Sequence, residues 1–236
     1  MVRRLAAPPS QNRTREYVVD IFDEVDEELR AERAQALLKR YAGLIIAVAL
    51  LIVGAAAGWQ AWRWWQAKQD MAAAQSYLAA MSMADRANLD AAQRQAAISA
   101  FGGIVATAPD GYRTLARLRA AALRADSGDI AGAVALWNDV ATDPNADPLL
   151  RDLANLLSAE YQIDTGDPGL LEARLKALAE PGNPWRALAQ EQLAVLDLRQ
   201  GKTDAAKAEL TKLAQDVTAP AGVRGRAAGL LARLGG

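Results

Sequence analysis

The chain has 236 residues, a formal net charge of −1, 52% hydrophobic and 23% charged residues, and neither cysteine nor histidine. Disulfides, zinc sites of the usual Cys/His kind, and Ser–His–Asp or Cys–His relays are therefore excluded. The balanced charge gives no electrostatic footprint for nucleic acid.

Alanine is abundant and aromatic residues make up only 6%. That favours helices packed closely, because Ala is the best helix former and lets helix axes approach. Residues 1–15 contain Pro8, Pro9 and several polar residues and read as a disordered tail. Residues 16–40 change character. Phe22, Val25 and Leu29 fall on one stripe of a helix, with Asp23, Glu24, Asp26, Glu27 and Glu28 early and Arg30, Arg33, Lys39 and Arg40 late. Acid first and base last complements the helix dipole. The stripe Phe22, Val25, Leu29 is a candidate contact for a protein partner, the alternative being a solvated helix that needs none.

Residues 41–62, YAGLIIAVALLIVGAAAGWQAW, carry no charge. Twenty-two residues make a helix of roughly 33 Å, enough to cross the hydrocarbon core of a bilayer. Tyr41 marks one end, and Trp59, Trp62, Trp64 and Trp65 cluster at the other, as aromatic belts do at membrane interfaces. About forty mostly polar residues precede the span, too many for the n-region of a cleaved signal peptide. Arg30, Arg33, Lys39 and Arg40 flank its start, against Arg63 and Lys68 at its end. Under the positive-inside rule the N-terminus is expected in the cytoplasm, and in a bacterium residues 63–236 in the periplasm. Gly54 and Gly58 form a GxxxG motif that can pack two transmembrane helices, giving self-association; ordinary tolerance of Gly in such helices explains it equally.

Beyond the span the sequence repeats. Gly128, Gly166 and Gly201 each precede an apolar series at fixed offsets: Ala133, Leu171, Ala206; then Trp137, Leu175, Leu210; then Val140, Leu178, Leu213. An upstream copy runs through Ala97, Phe101, Ile104 and Val105, with Ala92 in the place of the glycine. Offsets of four and seven mark one helical face. Glycine supplies the turn before it, and Pro109, Pro144, Pro181 and Pro220 stop it. A second helical stretch lies before each glycine. The unit is a helix–turn–helix of about 34 residues, the length of a tetratricopeptide repeat.

Ala97–Phe101–Pro109 and Ala133–Trp137–Pro144 match the second half of that motif, and Ala121, Ala159 and Ala194 supply the small residues needed where helices cross. The first half departs from it. Arg117, Asn155 and Gln190 replace the usual tryptophan, and Arg124, Gln162 and Asp197 the usual tyrosine. The expected fold is all-α: one transmembrane helix followed by a tetratricopeptide-like α-solenoid, closed by a capping helix within 220–236. Phe101, Trp137, Leu175 and Leu210 are expected as core residues. Polar groups at the first-helix positions are expected on the accessible wall, with Arg113, Arg117 and Arg124 forming a candidate partner-binding patch.

The segment DIFDEVDEELRAERAQALLKRY, the exit GWQAWRWW and the repeat YRTLARLRAAALRADSGDIAGAVALW resemble the YfgM-like family, ancillary subunits of the SecYEG translocon, in its alphaproteobacterial form. The resemblance runs from about Asp20 to the end of the chain. It implies an inner-membrane protein whose periplasmic repeats contact translocon subunits, chaperones or secreted chains. It brings no catalytic motif and no cofactor.

No phosphate loop, GxGxxG or HExxH occurs, and no serine has a base arranged beside it. Asp126 and Asp129 around Gly128, and Asp164 and Asp167 around Gly166, recur at repeat turns and read as turn and cap residues. A non-enzymatic, membrane-anchored interaction scaffold is expected. A structural subunit or assembly factor of another inner-membrane complex is the alternative.

Overall fold

The computed structural model describes residues 16–86 and 88–235, with side chains from Ala36 onward apart from Leu38. The reading of residues 1–15 falls outside the described residues. So do the side chains of Phe22, Val25 and Leu29, whose backbone is helical.

Among the described residues there are nine helices and no strand. The first, α1, runs from Glu16 to Ala84; this stretch contains no proline, the residue that most strongly breaks a helix. The chain divides into two compact units between Trp65 and Gln66. In the first unit, the apolar residues after Arg40 stand outward. Leu44, Ile46, Leu50, Leu51 and Val53 are all more than half exposed or close to it. A soluble core helix hides such side chains. Lys39–Ala84 contains a window of mean hydropathy 2.3 with none of it buried, and it is the one helix among the described residues long and apolar enough to cross a membrane. That is compatible with a single-pass anchor. Trp62 and Trp65 stack in a tilted pair at 5.5 Å.

The second unit, Gln66–Gly236, is a stack of helical hairpins. The end of α1 pairs with α2 (Ala91–Thr107). Then follow α3 (Asp110–Asp126) with α4 (Ile130–Thr142), α5 (Pro148–Tyr161) with α6 (Pro168–Leu178), α7 (Arg186–Arg199) with α8 (Thr203–Gln215), and α9 (Ala221–Arg233). Local chemistry sets the boundaries. Asp90 and Gln93 form a reciprocal capping box at the start of α2. Asp129, Asp147 and Asp167 accept backbone N–H bonds at the starts of α4, α5 and α6, and Pro148 and Pro168 occupy the first helical positions.

The repeat register is the one the glycine spacing predicts. Phe101, Trp137, Leu175 and Leu210 are at most 1% exposed, and Ala121, Ala159 and Ala194 are fully buried. Each alanine lies in the first helix of a hairpin, where a larger side chain would hold the helices apart. Gly128 and Gly201 have φ of 85° and 75°, the left-handed conformation that glycine adopts freely. Gly166 differs. Its φ is not positive, and a Cβ there would lie 3.0 Å from the Gln162 carbonyl and 3.2 Å from Leu171. This turn needs glycine for close approach rather than for handedness. Helix α9 covers the last hairpin with Val223 and Ala227 against Leu210 and Leu213, the capping a solenoid end requires.

The core is four clusters in series. Leu136 packs against both the first and the second, and Leu188 against both the third and the fourth.

Candidate functional site

The first helices α3, α5, α7 and α9 carry most of the polar chemistry. Arg113, Arg117 and Arg124 lie on one face of α3, and each finds an internal acceptor. Arg113 meets Asp110 at 3.0 Å and donates to the Ala108 carbonyl at 3.2 Å. Arg117 donates to Asp143, which caps the end of α4, at 2.7 Å, and both side chains are less than 20% exposed. Arg124 donates to Asp129 at 2.7 Å, beneath the start of α4. The patch expected here is therefore a set of ion pairs rather than open positive charge. Backbone N–H bonds from Gly132 and Asn145, with Arg124 and Arg117 beside them, hold the Asp129 and Asp143 carboxyls below the usual carboxylate range.

The clip at Arg113 repeats. Arg224 stands in the same relation to Ala219 and donates to its carbonyl at 2.5 Å. Ala108 and Ala219 are both buried links between successive hairpins. At the other polar positions of the wall, Gln162 donates to the Ser158 carbonyl and hydroxyl, Gln190 accepts from Arg186 at 3.3 Å, and Asp197 pairs with Lys202 at 3.5 Å. These side chains are partly buried. Hydrogen bonding within and between hairpins takes the place of the aromatic packing of a strict repeat.

Four further constellations were not singled out in the sequence. Glu191 on α7 is 4% exposed and receives a two-pronged bond from Arg226 on α9, at 2.6 and 2.5 Å. The two residues are 35 apart, the same as Gly166 from Gly201, so they occupy one position in successive first helices. That offset was the signal available in the sequence. Glu160 on α5 lies near this pair. Burial and the Glu191 charge raise its pKa, only partly offset by Arg226. Second, Ser158, fully buried, bonds Asn138 at 3.0 Å and accepts from Arg174 at 2.7 Å, joining α4, α5 and α6. Third, Arg186 binds Asp216 at 2.7 Å and Thr218 at 2.9 Å, tying α7 to the end of α8. Fourth, Arg199 donates to the carbonyls of Ile163 and Gly166 in the preceding turn, each at 2.8 Å.

Two of the four aspartates around the repeat glycines do local work. Asp129 and Asp167 cap α4 and α6. Gly54 and Gly58 lie in α1 with open space where a Cβ would be.

A groove of about 430 Å³ runs between α6 and α8 over α7, lined by Leu193, Leu196 and Ala208 and rimmed by Glu172, Lys176 and Glu209, among others. A second, of about 500 Å³, lies among Asp70, Pro109, Gly111, Tyr112, Leu115 and Leu150.

Residues 35–151 match a tetratricopeptide repeat-like domain. No curated protein matches the chain, and no solved structure does. A repeat-like domain of this kind generally mediates contact between proteins. The match takes in α1 from residue 35 on, with the whole apolar segment 41–62, and the first hairpins, where Phe101 and Trp137 sit.

Proposed function

We propose that the chain is a membrane-anchored scaffold that binds other proteins through its repeat domain and performs no catalytic step. The observation that carries this reading is the union in one chain of an uncovered apolar helix with a tetratricopeptide repeat-like domain. The four-to-two basic asymmetry around residues 41–62 supports a cytoplasmic N-terminus and a periplasmic repeat domain. The resemblance to YfgM-like proteins supports a place beside the Sec translocon of a bacterial inner membrane. There, residues 16–40, with Phe22, Val25 and Leu29, would meet membrane partners, and the repeats would meet chaperones or secreted chains. On the first-helix wall, a partner's carboxylate would have to compete with Asp110, Asp143 and Asp129 for Arg113, Arg117 and Arg124. Gly54 and Gly58 would serve pairing of spans.

One experiment tests topology and partner together. A phosphatase fused after Gly236 is expected to be active, and purification of the same fusion in mild detergent is expected to recover translocon subunits. An inactive fusion overturns the orientation. Recovery of a different stoichiometric complex replaces the translocon with another assembly.

A further inference from the structure

Successive hairpins of this stack meet in a repeated way, and one junction is left open. Eight residues after each repeat glycine, the second helix presents a side chain toward the preceding hairpin: Leu136, Arg174 and Glu209. Leu136 on α4 packs into the cluster built from α2 and α3. Arg174 on α6 reaches Asn138 on α4 and Ser158 on α5, at 3.2 and 2.7 Å. At these two junctions the chain supplies its own long side chain. Glu209 on α8 does otherwise. It accepts from Lys212 on its own helix at 3.4 Å, and the space between α6 and α8 remains the groove of about 430 Å³.

The chemistry of that groove indicates what fits. Its floor is apolar, from Ala179, Leu193, Leu196, Ala205 and Ala208. Its charged lining has three carboxylates, Glu172, Asp197 and Glu209, against two ammonium groups, Lys176 and Lys212. Two of those carboxylates are loosely held. Asp197 meets Lys202 at 3.5 Å and Glu209 meets Lys212 at 3.4 Å, and these lysines are 48% and 76% exposed. Ion pairs with exposed lysines are worth little. A guanidinium that lays its methylenes on the partly buried Leu193 would compete with these lysines for the carboxylates, its planar fork better matched to them than an ammonium. At the neighbouring junction Arg174 also enters with its guanidinium, there bonded to the neutral Asn138 and Ser158.

We propose that the groove between α6 and α8 is a docking site for a basic segment of a partner protein, which inserts an arginine side chain between Leu193 and Asp197 on one side and Glu209 on the other. The proposal rests on the reading of the chain as an interaction scaffold and assigns the partner's chemistry at this site.

The test uses the full chain in nonionic detergent and a fluorescein-labelled octapeptide of alternating Leu and Arg, followed by anisotropy. A Leu/Glu octapeptide is the control. The basic peptide is expected to bind and the acidic one not. Glu209→Arg, which would fill the junction from within, is expected to weaken binding at least tenfold. Asp204→Arg makes the same charge change at an exposed place on α8 and is expected to change binding less than twofold. Ala208→Leu narrows the floor at constant charge and is expected to weaken binding as well; circular dichroism verifies that each variant is folded. Equal losses from both arginine variants, insensitivity to Ala208→Leu, or failure of the basic peptide to bind would overturn the assignment. If the basic peptide fails while purification from membranes still recovers a protein complex, the scaffold reading stands and the groove alone is wrong.

Discussion

Trp137 is 1% exposed and its ring centroid lies 4.8 Å from that of Tyr161. Truncating a core aromatic to alanine typically costs about 3–5 kcal/mol, and loss of a stacked partner adds about 0.5–1.5 kcal/mol. One contribution runs the other way. The indole N–H is buried and meets no acceptor on the protein; an unsatisfied buried donor costs about 1–3 kcal/mol, which truncation relieves. The balance for Trp137→Ala centres on a loss of about 3 kcal/mol. Trp137→Phe separates the contributions, because it keeps a ring against Tyr161 and removes the unpartnered donor. It is expected to cost less than about 1.5 kcal/mol. Stacked hairpins can open locally, so the assay is amide hydrogen exchange read separately in α4 and α5, on the full chain in detergent. Trp137→Ala is expected to reduce protection in α4 by about a hundredfold or more, and Trp137→Phe by about tenfold or less. Protection unchanged in the alanine variant would refute the place of Trp137 at the centre of its hairpin. Equal losses in both variants would refute the argument from the unpartnered N–H.

Two further outcomes follow from local geometry. The Asp216 carboxyl is held down to about 2, first by the Thr218 hydroxyl, then by Arg186 and the Thr218 N–H, against about 3.9 in an unfolded chain. A depressed acid contributes its full stability above the unfolded value and loses it as pH falls through the folded one. Asp216→Asn is therefore expected to melt below the parent at pH 7, with the gap closing between about pH 4 and pH 2; a gap that persists at pH 2 would contradict the linkage. Gly166→Ala and Gly225→Ala are expected to shift the melting temperature in opposite directions. The first forces a Cβ to within 3.0 Å of a carbonyl, and the second adds one in open space inside α9, where Ala stabilises a helix by about 0.5–1 kcal/mol over Gly. Shifts of the same sign would contradict the packing described at Gly166.

Much of the stack is legible in the sequence because its core is a property of periodicity. The offsets from Gly128, Gly166 and Gly201 lead to Trp137, Leu175 and Leu210, and the small residues at the crossings to Ala121, Ala159 and Ala194, all buried. The capping aspartates are readable too, since Asp129 and Asp167 act within three residues of themselves. What periodicity does not carry is pairing across hairpins. Arg117 and Asp143 are 26 residues apart, Arg174 and Asn138 are 36. An arginine on a helix face looks alike whether it faces solvent or a neighbour's carboxylate. For the same reason the groove beside Glu209 is invisible in sequence: it is defined by what its position fails to fill. Gly166 shows the remaining gap, because a glycine kept for handedness and one kept for close approach are the same letter.

The junction at Arg174 has a mechanical consequence. Leu136 welds the first two apolar clusters and Leu188 the last two; between the second and third no side chain is shared among the described residues, and α5, which gives Ala154 to one and Leu156 and Ala159 to the other, is also bonded to α4 and α6 through Asn138, Ser158 and Arg174. Apolar contact yields gradually as surfaces slide. Hydrogen bonds are short and directional and fail over a fraction of an ångström. A load drawn along the stack would therefore meet, at this joint, a component that fails abruptly where the outer joints yield by sliding, much as a joint both glued and pegged cracks first at its peg.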